Sequence, residues 1–460
     1  MRTVPKDEWP SWIRTRLKGK KNVEVKEHNS NFYLYEYTNA WNKSKQCPVK
    51  TTKYSGVLRQ KEFFRVLEQG HVALLMNLSK KHVLLGLQKH FLEDWKYIAA
   101  FAMNRVIMPM PLKRLDSWFE KTSLPNMLDL ERVVPKTMSK VLERVGVNFS
   151  GQADFMKELS AENELLLYDG SVIYSHAKDN KLLEIGYNKD NLMLPKANIT
   201  LLFSKTRNIP VYFRLFFGSV HEINTVKTVI DELKGKKVIF VADKGYYKNR
   251  LFEDLDSNGI NFIIPLPRDD KRIDYTKKLP RFMEYHGRII NYTRYKIGRF
   301  FVYMFQDQFL KYNETTEYYK IRLAGKQVTF HEGWAGRISI LSNVDENPQE
   351  IYSMYKTRDS IEKAFHVLQN ILDLDTPYVS KEDVFKGYVF ATFVAMILYY
   401  KVLNLLKQKD LNKKLSVEDL MFELSKVMIN EQTGAMLECP KRTIKIVEQT
   451  GLTNIITKSG

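Results

Sequence analysis

Residues 236–247, KKVIFVADKGYY, set an apolar run between two lysines and an aspartate. A short run rich in Val and Ile predicts a strand buried on both faces, and Asp243 then stands at its carboxyl end. The segment before it, INTVKTVIDELKG (223–235), has helical periodicity. RLFEDLDSNG (250–259) predicts another helix and INFIIPLP (260–267) another buried strand. This helix–strand–helix–strand order predicts an α/β fold.

Three further strands are predicted upstream of this unit. NELLLYDGS (163–171) is an apolar strand that ends in Asp169, and two more follow it, NITLLFSK (198–205) and VYFRLFFG (211–218). Three strands followed by alternating helices and strands predict a mixed α+β sheet of the ribonuclease-H type. They do not predict a doubly wound parallel sheet.

The flanking patterns predict the domain organisation. VEVKE (23–27) and FYLYEYT (32–38) read as strands, whereas the period becomes helical after residue 60. Residues 285–307 and 320–334 read as strands again, and ISILSN (338–343) returns to the core. We therefore expect a basic β-rich arm at residues 1–60 and a helical DNA-binding module at 61–155. A ribonuclease-H-like catalytic core would follow in two segments, 156–268 and 337–406, separated by a β-rich insertion subdomain at 269–336. Residues 407–460 would form a linker and a small C-terminal unit.

The charge balance points to a polyanionic partner. The chain has 72 Lys and Arg against 53 Asp and Glu, a net charge of +19. Residues 1–60 alone carry 13 basic and 5 acidic side chains, and WIRTRLKGKKN (12–22) mixes aromatic with basic residues. Such an excess favours nucleic acid first and an anionic membrane second. A basic surface that only aids solubility is the alternative.

Several classes of protein are disfavoured by the sequence. Cys47 and Cys439 are the only cysteines, so neither a disulfide framework nor a structural zinc site is expected, and a reducing, cytoplasmic compartment fits. The apolar run Tyr388–Tyr400 is too short to span a bilayer and predicts a buried core helix. The N-terminal MRTVPKDEWP lacks the apolar segment of a signal peptide. No glycine-rich phosphate loop precedes a helix, which disfavours nucleotide hydrolysis.

Asp169 and Asp243 would lie near each other if their strands are neighbours in one sheet. Clustered carboxylates are costly unless a cation neutralises them, and ligation by oxygen alone suits Mg²⁺ or Mn²⁺. With a third acid on a following helix, the set would describe a two-metal site for phosphoryl transfer. Each motif is weak by itself, because an isolated strand-end Asp is more often a turn former.

Two residues compete as the third acid in YKTRDSIEKAFHVLQN (355–370), Asp359 and Glu362. A long helix is predicted here, with Asn347 as its N-cap and Pro348 at the first helical position. At about 100° per residue, Glu362 falls at the edge of the apolar face and Asp359 lies further towards solvent. Geometry therefore favours Glu362, although not by much.

The spacing Tyr355-x2-Arg358-x3-Glu362 resembles the Tyr-Arg-Glu-Lys signature of DDE-superfamily insertion-sequence transposases of the insertion-sequence-four type. LLLYDGS and VIFVADKGYY are similar to that family's two Asp motifs, and the match runs from roughly 160 to 400. The resemblance implies a catalytic and metal-binding triad of Asp169, Asp243 and Glu362 with two Mg²⁺ or Mn²⁺ ions.

The resemblance also implies what the protein would do. It would be a prokaryotic, nucleoid-associated enzyme that binds terminal inverted repeats as a homodimer, cleaves double-stranded DNA and joins it to target DNA. Tyr355 and Arg358 would bind the DNA backbone. Gln369 stands where the signature has Lys, so Lys363 or His366 are candidate substitutes for that contact. Trp334 would stack on a flipped base, unless it is a core residue of the insertion.

Two other functions remain open at this point. One is a ribonuclease-H-like DNA nuclease that cuts without strand transfer. The other is a DNA-binding protein that descends from a transposase and has lost catalysis. Three intact acids argue against the second of these, whereas Gln369 mildly favours it.

Overall fold

The computed structural model of the protein describes residues 1–29, 31–42, 44–58, 65–160, 164–175, 177, 180–185, 194–219, 237–247, 251–374, 377 and 379–453. The chain divides into two compact units, Met1–Arg65 and Val66–Gly460. The predicted helix at 223–235 lies outside the described residues.

The first unit is an antiparallel sheet of four strands in sequential order. Its strands are β1 (Arg2–Val4), β2 (Val23–His28), β3 (Asn31–Asn42) and β4 (Cys47–Leu58). A short helix, α1 (Ser11–Arg16), packs its buried Ile13 with Trp9 and Val25 in a small core of the unit's own. The strands predicted at 23–27 and 32–38 are confirmed, whereas α1 was not expected.

The second unit begins with one short strand and then a run of helices. Strand β5 (Val66–Glu68) pairs with β15 (Met428–Asn430). The helices are α2 (Gly70–Ser79), α3 (Leu85–Phe91), α4 (Trp95–Ile107), α5 (Leu112–Phe119), α6 (Leu124–Leu128), α7 (Pro135–Val147) and α8 (Phe149–Leu159). The helical character predicted between 60 and 150 is therefore confirmed.

A mixed sheet of nine strands forms the centre of the second unit, in the order β11-β12-β13-β14-β10-β9-β6-β7-β8. The strands are β6 (Glu164–Tyr174), β7 (Lys196–Ser204), β8 (Ile209–Phe217), β9 (Val238–Val241), β10 (Asn261–Pro265), β11 (Arg281–Tyr285), β12 (Arg288–Ile297), β13 (Phe300–Asp307) and β14 (Arg337–Ser342). Strand β9 runs parallel to both β6 and β10, and the other neighbouring pairs are antiparallel. The predicted mixed α/β class is confirmed.

The remaining helices are α9 (Leu251–Ser257), α10 (Gln308–Leu323), α11 (Pro348–Lys356), α12 (Asp359–His366), α13 (Glu382–Gln408), α14 (Val417–Ser425) and α15 (Lys441–Thr450). Helix α13 contains the apolar run Tyr388–Tyr400 and is a buried core helix, as predicted, although it is 27 residues long. By length and composition it is the one helix of the described residues that could cross a membrane. However, 78% of its most apolar window is buried inside the protein.

Two predictions of secondary structure are wrong. Residues 320–334 were expected to be strand, but α10 continues to Leu323 and only a 3₁₀ turn, Glu332–Trp334, follows. The side chain of Asp307 caps α10 by accepting a hydrogen bond from the Leu310 amide, which favours a helix over an extended chain. The long helix expected after Asn347 is interrupted between α11 and α12.

Candidate active site

Asp169 and Asp243 lie at equivalent positions on two paired strands. The parallel ladder between β6 and β9 ends with Leu167 opposite Val241. Each aspartate comes two residues after the last pair, so their backbones leave the ladder side by side. Neighbouring strands are about 4.8 Å apart. The pairing therefore brings the two predicted acids to one edge of the parallel part of the sheet.

One detail of the prediction for Asp169 is corrected. It was expected to end its strand, but β6 continues to Tyr174, because Asp169 and the residues after it pair with β7 on the other side. Asp169 thus leaves the β9 ladder while remaining held by β7, opposite Leu201. Pairing with β7 fixes the backbone of Asp169 more firmly than a loop would.

Tyr246 is a site residue that sequence reasoning missed. It stands in a 3₁₀ turn directly after Asp243, and its hydroxyl donates to Asp169 Oδ1 at 3.4 Å. Its ring is 3% exposed and packs edge-on against Tyr168, with 4.9 Å between ring centroids. Tyr246 therefore links the segment of one aspartate to the side chain of the other. The aromatic pair that follows Asp243 in ADKGYY was the only available signal.

The third acid comes from α12, which begins just after the helix is interrupted at Thr357. The Thr357 hydroxyl donates to the Met354 carbonyl at 2.6 Å, a local bond that competes with helix continuation. Helix α12 then buries Ile361 and Phe365, while Lys205, the residue after β7, donates to Ser360 Oγ at 2.9 Å. The angles drawn for one straight helix do not hold across this break, although Glu362 still emerges beside the buried face.

Arg358, at the start of α12, joins two of the three acids. One guanidinium nitrogen lies 3.6 Å from Asp243 Oδ2 and another lies 3.0 Å from Glu362 Oε1. The planar guanidinium is small, so the two carboxylates cannot be more than about 9 Å apart. Burial acts to lower the pKa of Arg358, but Asp243, Glu362 and, more weakly, Asp169 outweigh it and raise the pKa above its usual value. Arg358 is therefore a permanent cation among three acids.

Tyr355 belongs to the same cluster, on the last turn of α11. Burial, reinforced by Asp243 and Glu362 and opposed by Arg358, raises the pKa of its phenol above the usual value. The phenol also hydrogen-bonds Arg358. A neutral hydroxyl beside an arginine, at the rim of a carboxylate cluster, can donate to a phosphate oxygen.

The donor chemistry of the three acids fits a divalent cation. They offer only carboxylate oxygens, which are the ligands Mg²⁺ prefers, and Mg²⁺ needs only one or two protein carboxylates because it keeps several waters. Among the described residues, no three His, Cys, Asp or Glu side chains are already grouped as a metal site. Arg358 supplies positive charge between Asp243 and Glu362 instead.

The transposase DDE domain family matches residues 164–398 of the chain, which is just over half of its length and includes all three acids. The chain belongs to this family. Members of it act on DNA as transposases and generally use divalent metal ions, so the protein is a DDE transposase. The search of curated proteins finds no match.

A solved structure is similar in outline only. A piggyBac transposase, imaged by cryo-electron microscopy in a synaptic complex with hairpin DNA, aligns with 84% of this chain and 85% of its own. The TM-score is 0.44 and the identity 10%.

Gln369, the residue at the signature's Lys position, contacts the sheet. It lies in a π-turn, Val367–Ile371, which follows α12. Its side-chain nitrogen donates to the Val172 carbonyl at 2.7 Å and to Ser171 Oγ at 3.1 Å. In this DDE domain, Gln369 thus ties the end of the Glu362 helix segment to the strand that carries Asp169.

The other predicted DNA contacts are placed as follows. Lys363 is exposed and pairs with Asp359 at 3.0 Å. Asp359, the competing candidate for the third acid, is therefore part of a surface ion pair. His366 is exposed on the same helix. Trp334 is half-buried and packs with Tyr275, at 5.8 Å between ring centroids, and with His331, at 4.1 Å. Within the described chain, no recorded contact joins Trp334 to the three acids.

Proposed function

We propose that this DDE transposase catalyses cut-and-paste transposition with Asp169, Asp243 and Glu362 as its catalytic triad. The observation that carries the proposal is the shared edge of β6 and β9. Asp169 and Asp243 leave one parallel ladder in register, and Arg358 holds Glu362 to Asp243. Two of the three acids pair with one cation, and the third lies on the strand beside them, an arrangement that fits a site for metal-assisted phosphoryl transfer.

The three acids would hold the divalent ions. When bound, Mg²⁺ or Mn²⁺ would lower the pKa of the attacking water or hydroxyl and stabilise the leaving oxygen. The protein's own part is to hold the carboxylates in place. Tyr246 fixes Asp169, and pairing with β7 holds the backbone of Asp169, while Asp243 follows the end of β9 by two residues. Arg358 and Tyr355 would then bind the phosphate of the transposon end.

A ribonuclease-H-like core is part of the proposal. The five strands that surround the acids have the order β8-β7-β6-β9-β10, in which the first strand of the core sits at the centre. Strands β6, β8, β9 and β10 run in one direction, and β7 is antiparallel to them. This arrangement supports assignment to that fold, and the spacing of Tyr355, Arg358 and Glu362 supports the insertion-sequence-four type.

Recognition of DNA would use the basic surfaces of the chain. Residues 1–60 and the helical module 61–155 would bind terminal inverted repeats, with Lys363 and His366 adding contacts near the triad. Trp334 would stack on a flipped base. Two chains would pair two transposon ends as a homodimer, in a prokaryotic cytoplasm near the nucleoid. The net charge of +19 supports a polyanionic partner.

The test is a cleavage and strand-transfer assay on DNA that carries the inverted repeats flanking the encoding gene. The unmodified protein should cut and join with Mg²⁺, whereas Asp243→Asn should do neither. Asp359→Asn is the matched control, because Asp359 lies on the same helix as Glu362 but pairs with Lys363 and not with Arg358. Equal activity of Asp243→Asn and the unmodified protein would refute the triad. Cleavage without joining would instead indicate a nuclease, and DNA binding without cleavage would indicate a DNA-binding descendant.

A further inference from the structure

Helix α10 stands on the surface with no buried residue along its length. It spans Gln308–Leu323, about 24 Å at 1.5 Å per residue. Asp307 caps its start, and Gly325, with φ of +78°, lies just beyond its end. Most helices of a globular protein are stabilised by an apolar face packed against a core. Helix α10 therefore carries an apolar face for some other purpose.

That face is a heptad stripe of five residues: Phe309, Tyr312, Thr316, Tyr319 and Leu323. Their spacing of three, four, three and four residues is that of the a and d positions of a coiled coil. The four large side chains are highly exposed, at 53% for Phe309, 68% for Tyr312, 60% for Tyr319 and 89% for Leu323. Exposed apolar residues that line up in this way mark an interaction surface.

The opposite face of α10 holds the helix to its own chain. Glu314 pairs with Arg268 at 2.6 Å and accepts from the Gly336 amide at 2.9 Å. Tyr318 stacks on Phe330, with 4.5 Å between ring centroids. Because these contacts lie on the far side of the helix, Tyr312, Tyr319 and Leu323 of the heptad stripe point away from the protein. Phe309, at the start of the stripe, lies beside the guanidinium of Arg288, 4.9 Å from its ring centroid.

We propose that the heptad stripe binds the same stripe of a second copy of this chain, with the two helices antiparallel. In that register Tyr312 packs against Leu323 of the other copy, and Thr316 packs against Tyr319. A two-fold axis repeats both contacts, as a self-complementary interface requires. This contact rests on the proposed function, in which two chains pair two transposon ends, and it would give that homodimer its surface.

The charges beside the stripe favour this occupant and this direction. The flanking residues are Asn313, Thr315, Lys320 and Arg322, so both cations lie in the last turns. Antiparallel pairing sets Lys320 opposite Asn313 and Arg322 opposite Thr315 of the other copy, and it also opposes the two helix dipoles. Parallel pairing would bring four cations to one end. DNA would leave the stripe's apolar side chains without a matching surface.

The small size of the surface predicts weak association. Five side chains per copy bury less than the roughly 1,200 Å² at which stable protein interfaces begin. Dimerisation through α10 is therefore expected near micromolar concentrations. Two copies bound to neighbouring DNA ends would have an effective concentration above the one needed for dimerisation.

The experiment is sedimentation velocity of the full-length chain without DNA or metal, over concentrations up to roughly 100 μM. The unmodified chain should show concentration-dependent dimers. Tyr312→Lys and Leu323→Glu should each weaken dimerisation at least tenfold, since a charge then faces an apolar residue. The double variant should restore it, because the introduced lysine faces the introduced glutamate of the other copy. Asn412→Lys and Asn412→Glu, at an exposed site elsewhere, should leave it unchanged.

The outcomes separate this inference from the proposed function. Asp243→Asn, whatever it does to cleavage, should dimerise like the unmodified chain. A chain that stays monomeric throughout would overturn the proposal, and if the stripe variants then lose DNA affinity, the stripe faces DNA. A double variant that dimerises less than either single variant would overturn the antiparallel direction. Unchanged thermal unfolding midpoints will show that all variants fold.

Discussion

Gln369 donates a hydrogen bond of 2.7 Å to the main-chain carbonyl of Val172, three residues beyond Asp169 on the same strand. In the signature this position is a lysine that binds phosphate. Here it anchors the segment that follows α12 to the sheet. This internal contact ties the helix of Glu362 to the strand of Asp169.

The first prediction concerns the charge at this position. We expect Gln369→Lys to leave DNA affinity and its salt dependence unchanged, because the side chain at 369 is directed at Val172 and Ser171. A new phosphate contact would steepen the slope of log K against log salt by about 0.9. Salt titrations of binding to repeat DNA measure this slope, and a steeper slope would show that the lysine reaches the DNA.

The second prediction concerns Arg358. Removing a cation between two carboxylates leaves them repelling each other and open to another cation. Arg358→Gln should therefore bind Mn²⁺ at least about tenfold more tightly than the unmodified protein, as measured by the electron paramagnetic resonance signal of free Mn²⁺. It should also bind repeat DNA more weakly. Lys363→Gln, which frees only Asp359, is the control, and equal Mn²⁺ affinity in Arg358→Gln and the unmodified protein would contradict the prediction.

The third prediction concerns the hydroxyl of Tyr246. Tyr246→Phe keeps the ring packing against Tyr168 but removes the donor to Asp169. Since one such bond is worth about 0.5–1.5 kcal/mol, DNA cleavage should slow by about 2- to 10-fold without loss of fold. Tyr247→Phe removes the bond to Asp270 instead and should cleave normally. Identical cleavage rates for the two variants would remove Tyr246 from the site.

The fourth prediction concerns the crossing of α7 and α13. A side chain added at Gly146 would place its Cβ 1.8 Å from the Asp383 carbonyl, and one at Gly387 would meet the Leu142 carbonyl at 1.9 Å. Because backbone must move, each alanine substitution should destabilise the protein by about 3 kcal/mol or more. Gly333→Ala, which meets nothing within 4 Å, should be neutral. Denaturant unfolding measures the difference, and a loss below about 1 kcal/mol at Gly146 would contradict it.

The sheet around the acids could be predicted because buried strands have a strong signature. Strands β6, β7, β9 and β10 each contain a short apolar run, LLLY, LLF, VIFV and FII respectively, since both faces of such strands are covered. Asp169 and Asp243 were visible because each interrupts an apolar run with a charge. Their equivalence in register depends on strand pairing, which no local pattern contains.

The helix of Glu362 was predicted only in part, because local bonds and packing shape it. Asn347 was identified as the N-cap from its residue type, and its side chain indeed accepts from the Gln349 amide. At the interruption, the Thr357 hydroxyl bonds back to the Met354 carbonyl. The π-turn that directs Gln369 to the sheet depends on tertiary contacts. Neither is encoded in hydrophobic periodicity.

Helix α10 was missed for a related reason. The alternation in residues 320–334 resembles a strand, and the apolar residues of α10 have no core to face. Its heptad spacing begins at Phe309, before the segment 320–334 that was expected to be strand. An exposed helix of this kind is found by tracing a longer period.

The position of β14 couples the two halves of the central sheet mechanically. It forms one ladder with β13 of the inserted segment and another with β10 beside the acids, and α11 follows it directly. A force applied to β12 and β13 would act on the same strand that leads into Tyr355 and Arg358. Excising those hairpins would also leave β14 as an open edge, with unpaired backbone groups ready to recruit other chains. Shortening the insertion is therefore expected to lead to aggregation rather than to a minimal enzyme.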